Sequence, residues 1–160
     1  MAGPVHELLA EDHARLDALL SRAVEGPAFD HHSYEIFRAG LLRHIAMEDK
    51  VLLPDARRPR NGEPLPVAKQ LRADHAALAA LLVPTPTPEI VEAVRGILSI
   101  HNRLEESADG AYAAAERLAG PEAHALVARL RAVPPVPTAA HVDGPRVREH
   151  IERLLRARAT

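Results

Sequence analysis

The sequence has no cysteine and no tryptophan, and only two phenylalanines and two tyrosines in 160 residues. Without thiols there is no disulfide framework, no zinc ribbon and no thiolate catalysis, so any metal must be held by nitrogen and oxygen donors. Scarce aromatics leave a core of Ala, Leu and Val, aliphatic and close-packed, which favours helices over sheet. An excess of charge is missing too: the net charge is −2, with acids and bases spread along the chain. No basic stripe marks a nucleic-acid surface, and no apolar run approaches a membrane span. Met1-Ala2-Gly3-Pro4 opens without the charged and apolar regions of a secretory signal. The expectation is a cytoplasmic protein with neither nucleic-acid nor membrane partner. Nothing in the pattern bears on oligomeric state.

What the chain does have is ten histidines and long stretches of helical apolar spacing. Leu8, Leu9, Leu16, Leu19 and Leu20 predict a helix over Val5 to Val24, with His13 on the face of Leu9, Leu16 and Leu20. After Gly26-Pro27, Asp30 or Ser33 can cap a second helix in which Phe37, Leu41, His44, Glu48 and Leu52 follow at three- and four-residue steps. Pro54 is expected to end or kink it, leaving an exposed connection to Pro66. A third helix over Val67 to Val83 carries Leu71, His75, Leu78 and Leu82 on one stripe, and the Pro84-Thr85-Pro86-Thr87-Pro88 run stops it. A fourth, from Glu89 to Leu118, presents Val94, Ile97, Leu98, His101, Glu105, Ala108 and Tyr112. A short fifth helix from Gly120-Pro121 to Arg131 and a Pro-rich linker lead to a basic amphipathic segment, Pro145 to Arg158, expected to pack on the bundle or on a partner.

The first and third helices repeat. Glu7 to Leu20 aligns without gaps on Lys69 to Leu82, so that His13 and His75 coincide, and each is followed by a His-x-x-x-Glu: His44 to Glu48, then His101 to Glu105. Two helical hairpins with the same polar set predict an all-α four-helix bundle with internal pseudo-symmetry over residues 1–120, followed by a helical extension over 121–160.

Residues four apart on a helix share a face, so each His-x-x-x-Glu aims a nitrogen and a carboxylate at one point. A single such pair is ordinary on a solvated helix. Six residues on the inward stripes of four helices are different, because a buried carboxylate is costly unless it is paired or binds a metal. His13, His44, Glu48, His75, His101 and Glu105 are therefore the candidate ligands of a dinuclear site. It offers about a pair of histidines per metal and two shared glutamates, a set suited to iron or manganese and also able to bind zinc. Asp12 and Asp74 precede the bundle histidines and serve as acceptors for ring N–H groups or face water. His6, His31, His32, His124, His141 and His150 lie outside the repeat and are expected in solvent.

This pattern resembles the hemerythrin-like family of HHE cation-binding domains: a first histidine, a His-x-x-x-Glu, a third-helix histidine and a second His-x-x-x-Glu. The likeness runs from Val5 to Leu118 and includes Leu52-Leu53-Pro54 after Glu48-Asp49. It implies an antiparallel up-down bundle around two iron ions, with His13 and His44 on one, His75 and His101 on the other, and Glu48 and Glu105 bridging. Oxygen-carrying members place a histidine four residues after the third-helix histidine, where this chain has Ala79. One iron is then a protein ligand short, to be completed by a carboxylate such as Asp17, a water or an exogenous ligand, and open coordination remains for oxygen, peroxide or nitric oxide. The expectation is a di-iron protein that binds or senses such small oxidants, with Leu16, Leu78 and Leu104 as apolar lining. The alternatives are a di-iron or di-manganese peroxidase, catalase-like enzyme or oxidase using Tyr112 as a donor, and an iron store or a module that metal only staples together.

Overall fold

Helices form where the apolar spacing demands them, and the computed structural model, which describes residues 2–160, contains no strand among the described residues. In chain order the elements are α1 (Pro4–Glu25), α2 (His31–Met47), a π-helical turn (Glu48–Leu52), α3 (Leu53–Arg57) and a 3-10 turn (Arg58–Arg60). Then come α4 (Ala68–Leu81), α5 (Pro88–Glu106), α6 (Ala111–Ala119), a second 3-10 turn (Gly120–Glu122), α7 (Ala123–Arg131) and α8 (Pro145–Ala159). Asp30 caps α2 as expected, its carboxylate accepting the Ser33 N–H at 3.1 Å and the Ser33 hydroxyl at 2.7 Å. No helix among the described residues is long and apolar enough to cross a membrane.

Two helices depart from the expected bounds. Pro54 does not end the second helical run. The backbone widens into the π turn, in which the Leu53 N–H reaches back to the Glu48 carbonyl, and the run continues through Pro54 to Arg60. The wider turn absorbs the N–H that proline lacks, and it brings both Leu52 and Leu53 into the interior. The chain reverses at Asn61 and Gly62, both in the left-handed region with φ of 55° and 85°. The helix expected from Glu89 to Leu118 is in fact two. It breaks at Ser107–Gly110, where the Gly110 N–H closes a turn on the Ser107 carbonyl and Gly110 is extended, with φ −80° and ψ −177°. Apolar spacing runs on across this break, so periodicity alone joins what glycine and aspartate separate.

The chain divides into two compact units, the first comprising residues up to Leu65 with Glu106–Thr138, the second Pro66–Glu105 with Ala139–Thr160. The helical extension over 121–160 contributes α7 to one unit and α8 to the other.

In the first unit Val5, Leu9, Met47, Leu52, Tyr112, Leu126 and Leu130 form the core, drawn from α1, α2, the π turn, α6 and α7. Gly40 of α2 lies against α1, and a Cβ there would stand 2.8 Å from a methyl of Leu16, which would have to shift. The Glu116 carboxylate accepts the N–H groups of Val5 and His6, satisfying the otherwise open start of α1. Arg43 closes the end of α7 by donating to the Val133 and Arg131 carbonyls. In the second unit α4 buries Leu71, Leu78 and Leu81, α5 buries Val91, Val94 and Ile97, and α8 lies along α4.

Asp55 of α3 is 8% exposed and accepts from both Arg58 and Arg129. Burial raises its pKa, but the two guanidinium groups outweigh burial and hold it below the ordinary 3.8. A depressed folded-state pKa stabilises the protein above the unfolded value, and the gain is lost as pH falls through the folded one. Asp55→Asn is therefore expected to cost about 1 kcal/mol at pH 7, a small figure because both arginines are at least half exposed and screened. Urea unfolding at pH 7 and again below pH 3.8 should show the difference narrowing in acid.

Candidate metal centre

Each unit places one copy of the repeated polar set in its interior. In the first, α1 supplies His13, α2 supplies His44, and Glu48 opens the π turn; all three are buried. One ligand atom from each lies within 4.8 Å of the others. The His44 Nε2 is 2.6 Å from Glu48 Oε1, and the two imidazole rings stand 4.6 Å apart.

The second unit repeats this. His75 of α4 with His101 and Glu105 of α5 are buried, again with one ligand atom each inside 4.8 Å. His101 Nε2 is 3.2 Å from Glu105 Oε1, and the rings of His75 and His101 are 4.9 Å apart. The six residues nominated from the sequence thus fall into two triads of two imidazoles and one carboxylate, one in each unit.

Behind the triads stand further carboxylates. His44 Nδ1 meets Asp12 Oδ2 at 2.8 Å, His13 Nδ1 meets Glu106 Oε2 at 2.8 Å, and His101 Nδ1 meets Asp74 Oδ2 at 3.0 Å. An ionised carboxylate only accepts, so each of these Nδ1 atoms carries the proton and Nε2 is left as the inward donor atom. Asp12 and Asp74 therefore serve ring N–H groups rather than facing water. Each points away from the ligand face of its own helix, as an i−1 neighbour must, and so reaches a histidine on the adjacent one.

The arrangement around His44 and His101 sets a physical condition. Each ring has a carboxylate at Nδ1 and another at Nε2, and two acceptors as close as Nε2 and Glu48 Oε1 need positive charge between them. A second proton on the ring or a cation meets that need. Two ligand atoms at right angles on one ion, with bonds of about 2.1 Å, stand about 3 Å apart, close to the separations seen here. Imidazole nitrogen with carboxylate oxygen, oriented from behind by further carboxylates, is a donor set that fits iron, manganese or zinc.

Electrostatics at the outer acids agree. Burial raises Asp12, but its bond to His44 and then the Arg15 guanidinium bring it down to about 2. Asp74, also raised by burial, is held below the ordinary carboxylate range by His101, Arg158 and Gln70.

Several residues lie elsewhere than expected. Asp17, nominated to complete the shell, is exposed, because the buried stripe of α1 runs through His13, Leu16 and Leu20. Ala79 is partly buried, and Leu104 is half-buried beside fully buried Leu16 and Leu78. His31, His32, His124 and His150 are exposed as expected, but His6 and His141 are half-buried and bond the carbonyls of Glu106 and Val83. Tyr112 sits on α6, and its hydroxyl lies 3.0 Å from His13 Nε2 and 3.2 Å from His44 Nε2. The reading from sequence passed over Glu106, Gln70 and Arg158. For Glu106 a signal existed, since an acid follows the glutamate in both copies, Glu48-Asp49 and Glu105-Glu106.

No family model matches the chain, and neither a curated protein nor a solved structure matches it.

Removing an outer acid should loosen its histidine. Asp12→Asn and Asp74→Asn are each expected to lower metal affinity by roughly 10- to 100-fold, while Asp17→Asn leaves it unchanged. Competition titrations with a chromogenic chelator measure all three.

Proposed function

We propose that the chain is a cytoplasmic non-haem di-iron protein of hemerythrin-like kind, binding or sensing dioxygen, peroxide or nitric oxide. In this reading its long helices form the antiparallel four-helix bundle that the repeat and the resemblance imply, and Glu48 and Glu105 would be the carboxylates that hold the metal. The observation that carries it is the pair of imidazoles, His44 and His101, each held between two carboxylates in its own unit.

When bound, a pair of ferrous ions supplies electrons and open coordination positions to a small oxidant. The protein's part is to place and insulate. Asp12, Glu106 and Asp74 fix the ring orientations, and Glu48 and Glu105 bring the negative charge that offsets divalent metal. Leu16 and Leu78 each follow a ligand histidine by three residues on the same helix, are buried, and set aliphatic surface beside it. Ala79 has no donor atom to offer a metal, which in this reading favours reaction or sensing over simple carriage. Manganese or zinc suits the same donors.

Protein purified from iron-supplemented cells should carry two irons per chain. In the oxidised form it should show a near-ultraviolet charge-transfer band that shifts with azide or peroxide. An iron-loaded protein without such a band overturns the reading, and Glu48→Ala or Glu105→Ala should abolish the band.

A peroxidase, catalase-like or oxidase reading is favoured by one observation, the Tyr112 hydroxyl within hydrogen-bond reach of two ligand nitrogens. A phenol so placed can deliver a proton or an electron. If turnover is the function, Tyr112→Phe should keep two irons while peroxide consumption falls roughly tenfold or more. Unchanged consumption leaves binding or sensing as the role.

A further inference from the structure

The two copies of the repeat differ in what they offer the outer acids: Leu8 of the first aligns on Gln70 of the second, and Arg15 on Ala77. Asp12-His13-Ala14-Arg15 aligns on Asp74-His75-Ala76-Ala77. In the first unit Arg15, one turn along the same helix, places Nε 2.9 Å and Nη2 2.8 Å from Asp12 Oδ1, while Oδ2 faces His44. In the second unit the corresponding residue is Ala77, which has no donor to give. Asp74 is also the more buried of the two acids, its side chain 1% exposed against 14% for Asp12.

Asp74 nevertheless has a guanidinium. Arg158 of α8, 84 positions away in sequence, places Nε 2.8 Å from Asp74 Oδ1. Gln70 donates to the same oxygen at 2.9 Å and also to the Arg158 carbonyl at 3.2 Å. The geometry is that of Arg15 on Asp12, rebuilt from a helix outside the repeat.

We infer that Arg158 is the positioning residue of the second triad. Through Asp74 it fixes His101, so that α8 is a working part of that triad, whereas the acid behind His44 takes its guanidinium from its own helix. The inference rests on the reading of the triads as metal ligands. A carboxylate buried as deeply as Asp74 needs a compensating cation. Without Arg158 the Oδ1 atom of Asp74 keeps only Gln70, the carboxylate is free to turn, and His101 loses the fixed acceptor at its Nδ1.

The attachment of α8 makes this dependence sharp. None of its residues is fully buried. Its leading end is tied at Val83, whose carbonyl accepts the Val142 N–H at 3.1 Å and meets His141 Nδ1 at 3.2 Å. Thr85 adds two bonds to Asp143. Beside that tie and the first half of α8 lies a cavity of about 510 Å³ bounded in part by Leu81, Ile90, Val147 and Ile151. Arg158 lies at the far end of the helix, beyond this cavity.

The test uses the full chain with Arg158→Ala, Arg158→Lys and Arg15→Ala. Imidazole ¹⁵N resonances of metal-free protein should show the Nδ1–H of His101 held in one hydrogen bond in the parent. In Arg158→Ala that resonance should shift and broaden, and Arg158→Lys should restore it, with His44 unaffected by both. Arg15→Ala should disturb His44 and leave His101 alone. In iron titrations Arg158→Ala should keep one site at parental affinity and weaken the other by roughly tenfold. Arg158→Gln, which keeps more side-chain volume, gives the same readings if the alanine variant does not fold. Unchanged His101 signals, or equal weakening of both iron sites, overturn the inference. A parent chain that takes up no iron overturns the proposed function instead, and the metal-free resonances still decide whether Arg158 positions His101.

Discussion

An imidazole with a carboxylate at each of its two nitrogens cannot be left to itself inside a protein, and the rest of the structure depends on how that charge is balanced. One acid alone would be a familiar hydrogen bond. Two acids on one buried ring add a negative charge that a neutral imidazole does not cancel, and the carboxylates of Glu48 and Glu105 are wholly buried. Helix packing here has to supply more than apolar area: it must hold the acids at fixed separations while a positive charge sits among them.

Irregular backbone serves that end. The π turn begins at Glu48, at the point where a ligand carboxylate, a buried leucine pair and a proline must share one run of chain. A regular α-helix would leave a carbonyl without its donor at Pro54. The wide turn distributes that defect and is placed where a site benefits from it, a recurrent use of π-helical geometry. The break at Ser107–Gly110 has a comparable effect: it starts α6, from which the Tyr112 hydroxyl meets His13 and His44.

Much of this was legible in the residues. Helical periodicity located the helices to within a few positions except at Pro54 and Ser107–Gly110, and the repeat singled out all six triad residues. Local spacing reports which face of a helix a residue occupies, and little about what the neighbouring helix brings to it. That is why Asp12 and Asp74 looked equally suited to water, and why Asp17, four residues from His13, looked like a ligand. Glu106 and Arg158 reach their partners across 93 and 84 positions of sequence, a separation that no periodic pattern encodes. The lining leucines illustrate the same limit: Leu16 and Leu78 follow from i, i+3 spacing, whereas Leu104 sits on the edge of its stripe and is only half-buried.

Each unit is made of two stretches that are not consecutive, and the stretches alternate along the chain. The first unit waits for Glu106–Thr138 after the chain has already entered the second, and the second waits for Ala139–Thr160 after it has returned to the first. Neither can be completed in a single pass, so its stabilising contacts carry the loop-closure entropy of the intervening segment. Folding of this chain should accordingly be slower than that of helical bundles whose neighbours follow one another directly. The ligand sets, by contrast, are gathered from nearer residues, His13 to Glu48 and His75 to Glu105, and Asp12 and Asp74 lie in those same stretches, so that only Glu106 and Arg158 are brought to them from afar.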